Sequence, residues 1–461
     1  MSQLAFSSIK LSPALQTNIE ALGYTGMTPI QAQSLPPILE GKDVLAQGKT
    51  GSGKTAAFTL GLLEKLDVKL LKVQSLVLCP TRELADQVAG EIRKLARTIP
   101  NVKVLTMCGG MPFRPQAESL EHGAHIIVGT PGRVEDHLRK GTLKLDQLNT
   151  LVLDEVDRML DMGFQDALDA IVDEIPTQRQ TLLFSATISD SIRWISRRIM
   201  SSPVEVIIKE THDDSTIQQY LYRLSDNQDR LTGLRLLLMH FQPESAVVFC
   251  KTKQETQEVA DALKKQGFCV VVLHGNLEQR ERDQTLIQFA NKSASILVAT
   301  DVAARGLDIE DLDAVINYQL ANDPESHVHR IGRTGRAGSK GIACTLHYEK
   351  EQHKVAQLEV YLDKDLEVQP LPPASVLDKP SYKAVMSTLQ IDGGKKQKVR
   401  PGDILGALTG ENGVSGQQVG KIKIYNNWSF VAVNRDVVKA ALDKLGKGKL
   451  KGRSFRVRQI R

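Results

Sequence analysis

From residue 43 to about 203, short apolar and β-branched runs recur at 43–46, 75–79, 102–105, 125–128, 150–153 and 181–184. Segments with helical spacing, such as 82–97 and 163–174, separate most of them. Runs this continuously apolar predict strands buried on both faces, and their alternation with helices predicts a parallel sheet. A polar stretch at 209–215 interrupts the pattern, which restarts with strands at 245–249, 269–273, 295–298, 314–317 and 341–344. A second break, 366–381, carries Pro370, Pro372, Pro373 and Pro380 and reads as a linker. Beyond it come a strand at 388–391, a helix at 401–408, strands at 421–425 and 429–433, a helix at 437–445 and a strand at 454–460. That βαββαβ order is the order of a ferredoxin-like fold. The expectation is two α/β parallel-sheet domains, 1–208 and 216–362, followed by a small α+β domain, 385–461.

Charge separates these regions. Residues 385–461 hold 16 Lys and Arg against 5 Asp and Glu, a net of +11; the whole chain is +5, which leaves −6 for residues 1–384. A basic module on a mildly acidic body suggests either a nucleic-acid grip or a solvated basic tail. Cys79, Cys108, Cys250, Cys269 and Cys344 lie far apart without a C-x-x-C pair, which argues against a disulfide framework or a zinc site. Met1-Ser2-Gln3-Leu4 lacks the basic-then-apolar pattern of a secretory signal, and no run approaches the ~20 apolar residues of a membrane span. A cytoplasmic protein with no membrane partner is expected.

Candidate chemistry begins at Gly48-Lys49-Thr50-Gly51-Ser52-Gly53-Lys54-Thr55, between the first strand and a helical stretch at 56–63. It matches G-x-x-x-x-G-K-[ST] at every fixed position. Glycines let backbone N–H groups converge on one anion, and a helix N-terminus beneath the loop adds its positive dipole end. Lys54 is expected to reach the β- and γ-phosphates of a nucleotide, and the Thr55 hydroxyl to bind Mg²⁺. The apolar run 151–153 ends in Asp154-Glu155-Val156-Asp157. Ligands of open α/β sheets sit beyond the carboxyl ends of the strands, which puts these acids on the P-loop's side. There Asp154 is expected to hold Mg²⁺ and Glu155 to orient and activate the attacking water.

With these motifs in place, the chain from about Phe6 to Arg336 resembles the DEAD-box RNA helicases. The resemblance implies two tandem RecA-like domains, ATP with Mg²⁺ as cofactor, and RNA as partner. Gly23-Tyr24 through Thr28-Pro29-Ile30-Gln31, with Phe6 upstream, resembles the segment that reads adenine, which implies adenine contacts for Phe6, Tyr24 and Gln31. Pro80-Thr81-Arg82, Gly109-Gly110 and Thr130-Pro131-Gly132-Arg133 resemble RNA-contacting motifs of the first domain, implying roles for Thr81, Arg82, Gly110, Thr130 and Arg133. Ser185-Ala186-Thr187 resembles the motif that links ATP binding to strand separation; Ser185, Thr187 and the last acid, Asp157, are the expected coupling residues. In the second domain the stretch from Ala299-Thr300-Asp301 to Asp308, Gln279 to Arg282, and His329 to Arg336 match further motifs. They imply RNA contact by Thr300, ribose binding by Asp308 and catalytic roles for Arg333 and Arg336, with Arg336 as the arginine finger. Spacing puts Arg333 and Arg336 on one face if the segment is helical.

One position departs from the family pattern. Val156 stands where the family has alanine, adding two methyl groups and β-branching to a tight turn. The acids are intact, so ATPase activity is expected to survive. Packing behind the turn, and with it coupling to Ser185-Ala186-Thr187, is where valine bears.

The C-terminal module resembles the RRM-like RNA-binding domain of a bacterial branch of this family, through Ile391 to Lys396, Arg400 to Gly410 and Val419 to Ile422. That resemblance implies binding to a hairpin of large-subunit (23S) rRNA and a role in large-subunit assembly. Lys395, Lys396, Arg400, Lys451, Arg453, Arg456 and Arg458 are the basic candidates for RNA contact. Tyr425, Trp428 and Phe430 are either core residues or base-stacking platforms.

Overall fold

The computed structural model describes residues 4–48, 51–208, 217–225, 229–304, 312–335, 340–411 and 413–460. The polar stretch 209–215 and the site candidates Lys49, Thr50, Asp308 and Arg336 lie outside the described residues. The first sheet contains β1 (Val44–Gln47), β2 (Ser75–Leu78), β3 (Val104–Met107), β4 (Ile126–Gly129), β5 (Thr150–Asp154), β6 (Gln180–Ser185) and β7 (Val204–Ile207). They pair in parallel in the order β3-β4-β2-β5-β6-β1-β7. Successive side chains of β5 enter opposite cores. Leu151 and Leu153 pack with Leu45 and Leu183 on one side, and Val152 with Val44, Ala46 and Phe184 on the other. Both faces are buried, so the strands read as unbroken apolar runs.

The second sheet contains β8 (Ile217–Leu224), β9 (Ala246–Cys250), β10 (Val270–Leu273), β11 (Ile296–Thr300), β12 (Ala314–Asn317), β13 (Gly341–Tyr348) and β14 (Glu367–Gln369), in the parallel order β10-β11-β9-β12-β13-β8-β14. The stretch read as a linker, 366–381, is therefore structured. β14 pairs with β8 at the sheet edge, with Val368 opposite Leu221. Leu371, Val376 and Leu377 then pack on the second domain's core. Proline is tolerated there because an edge strand need not donate on its open side.

The C-terminal module is an antiparallel sheet of β15 (Met386–Ile391), β16 (Val419–Ile424), β17 (Ser429–Asn434) and β18 (Val457–Gln459), ordered β16-β17-β15-β18. Leu389, Ile391, Val431 and Val433 face the helices Pro401–Thr409 and Val438–Lys447, packing with Ile404, Leu408, Ala441 and Leu445. The opposite face is also covered. Thr388, Gln390, Phe430 and Ala432 are buried, and the helix Gln279–Ala290 of the second sheet domain supplies part of the cover. Gln284 Nε2 donates to Gln390 Oε1 at 3.3 Å, Asn291 Nδ2 to Thr388 Oγ1 at 3.2 Å, and Ser293 Oγ hydrogen-bonds Thr388 Oγ1. The second sheet and the module form one compact unit, and the first sheet domain is the core of the other.

Candidate active site and nucleic-acid interface

β5, β6 and β1 are neighbours, so the loops leaving their carboxyl ends meet. Gly48 N–H donates to the Ser185 carbonyl at 3.0 Å, and Gln47 Nε2 to the Ala186 carbonyl at 3.1 Å. Asp157 Oδ2 accepts from the Ala186 N–H at 3.1 Å. P-loop, acidic turn and Ser185-Ala186-Thr187 are thus joined directly. Val156 is fully buried and packs with Leu153, Met159 and Ile192, so the added methyl groups fill the core behind the turn.

Gly51 and Gly53 have φ of +80° and +94°, where a side chain is strained. At Gly53 a Cβ would also come within 2.5 Å of Gln31 Nε2. Gln31 Nε2 donates to the Gly53 carbonyl at 3.1 Å, while its Oε1 accepts from Thr28 N–H at 2.9 Å and caps the helix Pro29–Leu39. The Gln31 amide therefore ties the start of the helix Pro29–Leu39 to the P-loop. Phe6 is buried, with its ring 5.9 Å from and edge-on to Tyr24, whose hydroxyl donates to Glu91 Oε1 at 2.7 Å. Ser52 and Thr55 are half-buried beside Lys54. Lys54 begins the helix Lys54–Glu64, and its Nζ donates to the Gly48 carbonyl at 2.6 Å.

Asp154 is 3% exposed, and its Oδ1 has no hydrogen-bond partner among the described residues. Burial pushes its carboxyl up to about 7; Lys54 pulls it down, and Glu155 and Asp157 add to the rise. A buried carboxylate oxygen without a donor is a hard-oxygen ligand that suits Mg²⁺. When bound, Mg²⁺ with ATP supplies positive charge against the phosphoryl oxygens. Glu155 adopts a left-handed backbone, φ +56° and ψ 53°, which costs about 1–2 kcal/mol for a residue with a Cβ. Arg158 Nε lies 3.4 Å from Glu155 Oε2, and both side chains are buried. Sequence reasoning passed over Arg158. Its signal is an arginine three residues after the acid, on the same face of the short helix Val156–Asp161.

Thr81 caps the helix Arg82–Leu95, with Oγ1 accepting from Leu84 N–H at 3.3 Å. Arg82 lies against Gly110, where φ is +70° and any Cβ would collide with the guanidinium. Thr130 follows β4 at the N-terminus of the helix Pro131–Arg139, and Arg133 Nη1 donates to the Met111 carbonyl and to Gln116 Oε1, both at 2.9 Å. These residues line one rim of the first sheet, beyond the carboxyl ends of β2, β3 and β4.

In the second domain Thr300 ends β11, and its Oγ1 accepts from Ala303 N–H at 3.4 Å. Arg330, which sequence reasoning did not single out, is 3% exposed and grips Asp301 with two hydrogen bonds of 2.6 and 2.7 Å. It also donates to Asn317 Oδ1 at 3.0 Å and the Gln319 carbonyl at 2.9 Å. The helix Pro324–Ile331 stops at Gly332, so Arg333 lies beyond the helical segment expected to carry it; Arg336 is outside the described residues. Arg333 is buried, and its carbonyl accepts from Leu312 N–H. The N–H groups of Arg333 and Thr334 donate to the Arg330 and Ile331 carbonyls, turning the chain tightly before Thr334 bridges to Leu312.

In the module Lys395, Lys396, Arg400, Arg453 and Arg456 are exposed. Lys451 Nζ is paired with Asp403 Oδ2 at 3.3 Å, and Arg458, opposite Gln390, is half-buried. Phe430 is core, whereas Tyr425 and Trp428 are half-buried.

The DEAD/DEAH box helicase model matches residues 28–195, the helicase conserved C-terminal domain 229–338 and the DbpA RNA binding domain 388–459. The ATP-dependent RNA helicase DbpA of Escherichia coli is 54% identical over 458 residues, covering 99% of this chain and 100% of its own. The chain belongs to the DEAD-box ATP-dependent RNA helicases. It is a helicase of the DbpA type, with two parallel-sheet domains and a C-terminal RNA-binding domain. DbpA of Bacillus subtilis is 36% identical over 98% of both chains. The solved structure of Saccharomyces cerevisiae Dbp5 bound to RNA and ADP BeF3 matches with a TM-score of 0.71 and 30% identity, covering 82% of this helicase and all of that chain. Among the described residues, no helix is long and apolar enough to cross a membrane.

Proposed function

We propose that this helicase hydrolyses ATP with Mg²⁺ when RNA is bound, and opens short duplexes in large-subunit (23S) rRNA during cytoplasmic assembly of that subunit. Segments 1–208 and 216–362 serve as the motor and 385–461 as the address. Lys54, with Gly48 to Thr55, binds the phosphates; Thr55 and Asp154 hold Mg²⁺; Glu155 orients the water. Phe6, Tyr24 and Gln31 attend the adenine, and Asp308 the ribose. Arg333 and Arg336 stabilise the transferring phosphoryl group. Asp157, Ser185 and Thr187 pass the nucleotide state to Thr81, Arg82, Gly110, Thr130, Arg133 and Thr300 on the RNA backbone. Backbone contact carries little sequence information, so choice of RNA falls to the module and its exposed cations Lys395, Lys396, Arg400, Arg453 and Arg456; Lys451 and Arg458 complete the set.

The observation that carries this reading is the match of 388–459 to the DbpA RNA binding domain, behind a motor whose P-loop, acidic turn and Ser185-Ala186-Thr187 are hydrogen-bonded together. Steady-state ATPase of the full chain and of residues 1–384, each with large-subunit rRNA and with poly(U), tests it. Strong stimulation of the full chain alone, by rRNA at low concentration, is the expected result. Equal stimulation of both proteins by both RNAs would reduce the module to a generic anchor.

A further inference from the structure

The central strands of the module's open sheet face are covered, yet the rim of that face is aromatic and cationic. Trp428 stands two residues before Phe430 and shares its side of the sheet. Its ring carries the Arg280 guanidinium 5.9 Å from the centroid, and Arg280 comes from the exposed first turn of the helix Gln279–Ala290 in the second sheet domain. Tyr425 lies 6.4 Å from Trp428, at an interplanar angle of 34°, with Lys423 Nζ 5.6 Å above it. Lys395 and Lys396 are held at the same hairpin tip: their N–H groups donate to the Tyr425 and Asn426 carbonyls at 2.8 and 2.9 Å. That approach needs Gly394, where a Cβ would collide with the Tyr425 carbonyl.

We infer that Trp428 and Tyr425, with Arg280, Lys395, Lys396 and Lys423, form a stacking site for unpaired RNA shared between the module and the second sheet domain. Half-buried rings flanked by cations present a π-face to a base and positive charge to its phosphates. No base-edge readout is built into such a site, so it grips single strand whatever its sequence. Arg280 lies within Gln279 to Arg282, so the site overlaps a family motif of the second sheet domain. This rests on the reading that the module binds RNA.

The chain has two tryptophans, Trp194 and Trp428. Trp194 is 56% exposed on the helix Asp190–Ile199 of the other unit. In full-length protein carrying Trp194→Phe, titration with short oligoadenylate quenches the Trp428 emission. Trp428→Leu weakens oligoadenylate binding about tenfold, measured by anisotropy of labelled RNA, Arg280→Glu weakens it by a similar factor, and Trp428→Phe retains most of it. Binding seen by anisotropy with unchanged Trp428 emission and unchanged affinity in Trp428→Leu overturns the stacking site alone. Absence of any anisotropy change overturns the RNA-binding reading beneath it.

Discussion

Glu155 shows how much of this site is decided by single residues. Its left-handed backbone turns the chain from β5 into the helix Val156–Asp161, and Arg158 holds its carboxylate from one turn on. Glu155→Gln keeps the shape of the side chain but removes the charge proposed to orient and activate water. ATP binding is expected to stay near normal while turnover falls by about a thousandfold, read by nucleotide titration beside single-turnover hydrolysis. Normal turnover would remove Glu155 from its assigned role. Val156 sets the complementary test. Valine is fully buried, and the Asp157–Ala186 bond is made by the residue that follows it. Val156→Ala restores the family residue yet leaves two methyl groups of space, so it is expected to cost about 1–3 kcal/mol of stability with hydrolysis nearly unchanged. A large gain in unwinding would mean instead that valine weakens coupling.

Among the elements, the legible ones were those buried on both faces. β5 and β9 are buried at every position and read directly as strands. β7 and β8 were missed because their positions range from buried to exposed, and β14 because its three residues are exposed or half-buried and carry no apolar run. The helical reading of Arg333 failed at Gly332, where helical spacing persists in the letters while a bridge from Thr334 to Leu312 takes over in the fold. Arg330 was hidden for a related reason: a buried arginine declares itself only once Asp301 and Asn317 are seen around it. Its neighbour His327, also on the helix Pro324–Ile331, gives an element-scale prediction. His327 is 3% exposed, and burial, with help from Arg330, holds its pKa down at about 3. The unfolded chain then binds a proton that the fold refuses. Stability is full above about pH 6.5 and falls as pH drops toward 3, by up to ~1.4 kcal/mol per pH unit from this group. His327→Asn is expected to flatten the slope of thermal midpoint against pH between about 6.5 and 4. An unchanged slope would show that His327 takes up its proton in the folded state as readily as in water.

For the whole molecule, the informative surface is the one between the second sheet domain and the module. Each has its own apolar core, around Val248 and Ile316 in one and Leu389 and Val431 in the other, so neither needs its neighbour in order to fold. What joins them is mostly polar and specific. Thr388 meets Asn291 and Ser293, Gln390 meets Gln284, and Arg435 Nη2 donates to Cys269 Sγ at 3.5 Å. Burying these groups costs free energy unless every partner is matched, so the surface works as a register that accepts one orientation. A module held this way addresses the motor; one swinging on a loose tether would only raise the local RNA concentration. Thr388→Arg tests the difference, because Thr388 is fully buried at this surface and lies on the sheet face opposite the module's own core. The variant is expected to melt in separate steps by calorimetry where the parent melts the two together. Its module should still bind rRNA with the salt dependence of a phosphate grip, while half-maximal ATPase stimulation moves to RNA concentrations about tenfold higher. Unchanged stimulation despite separate melting would mean that tethering alone is sufficient, and that the matched polar surface serves stability without directing the motor.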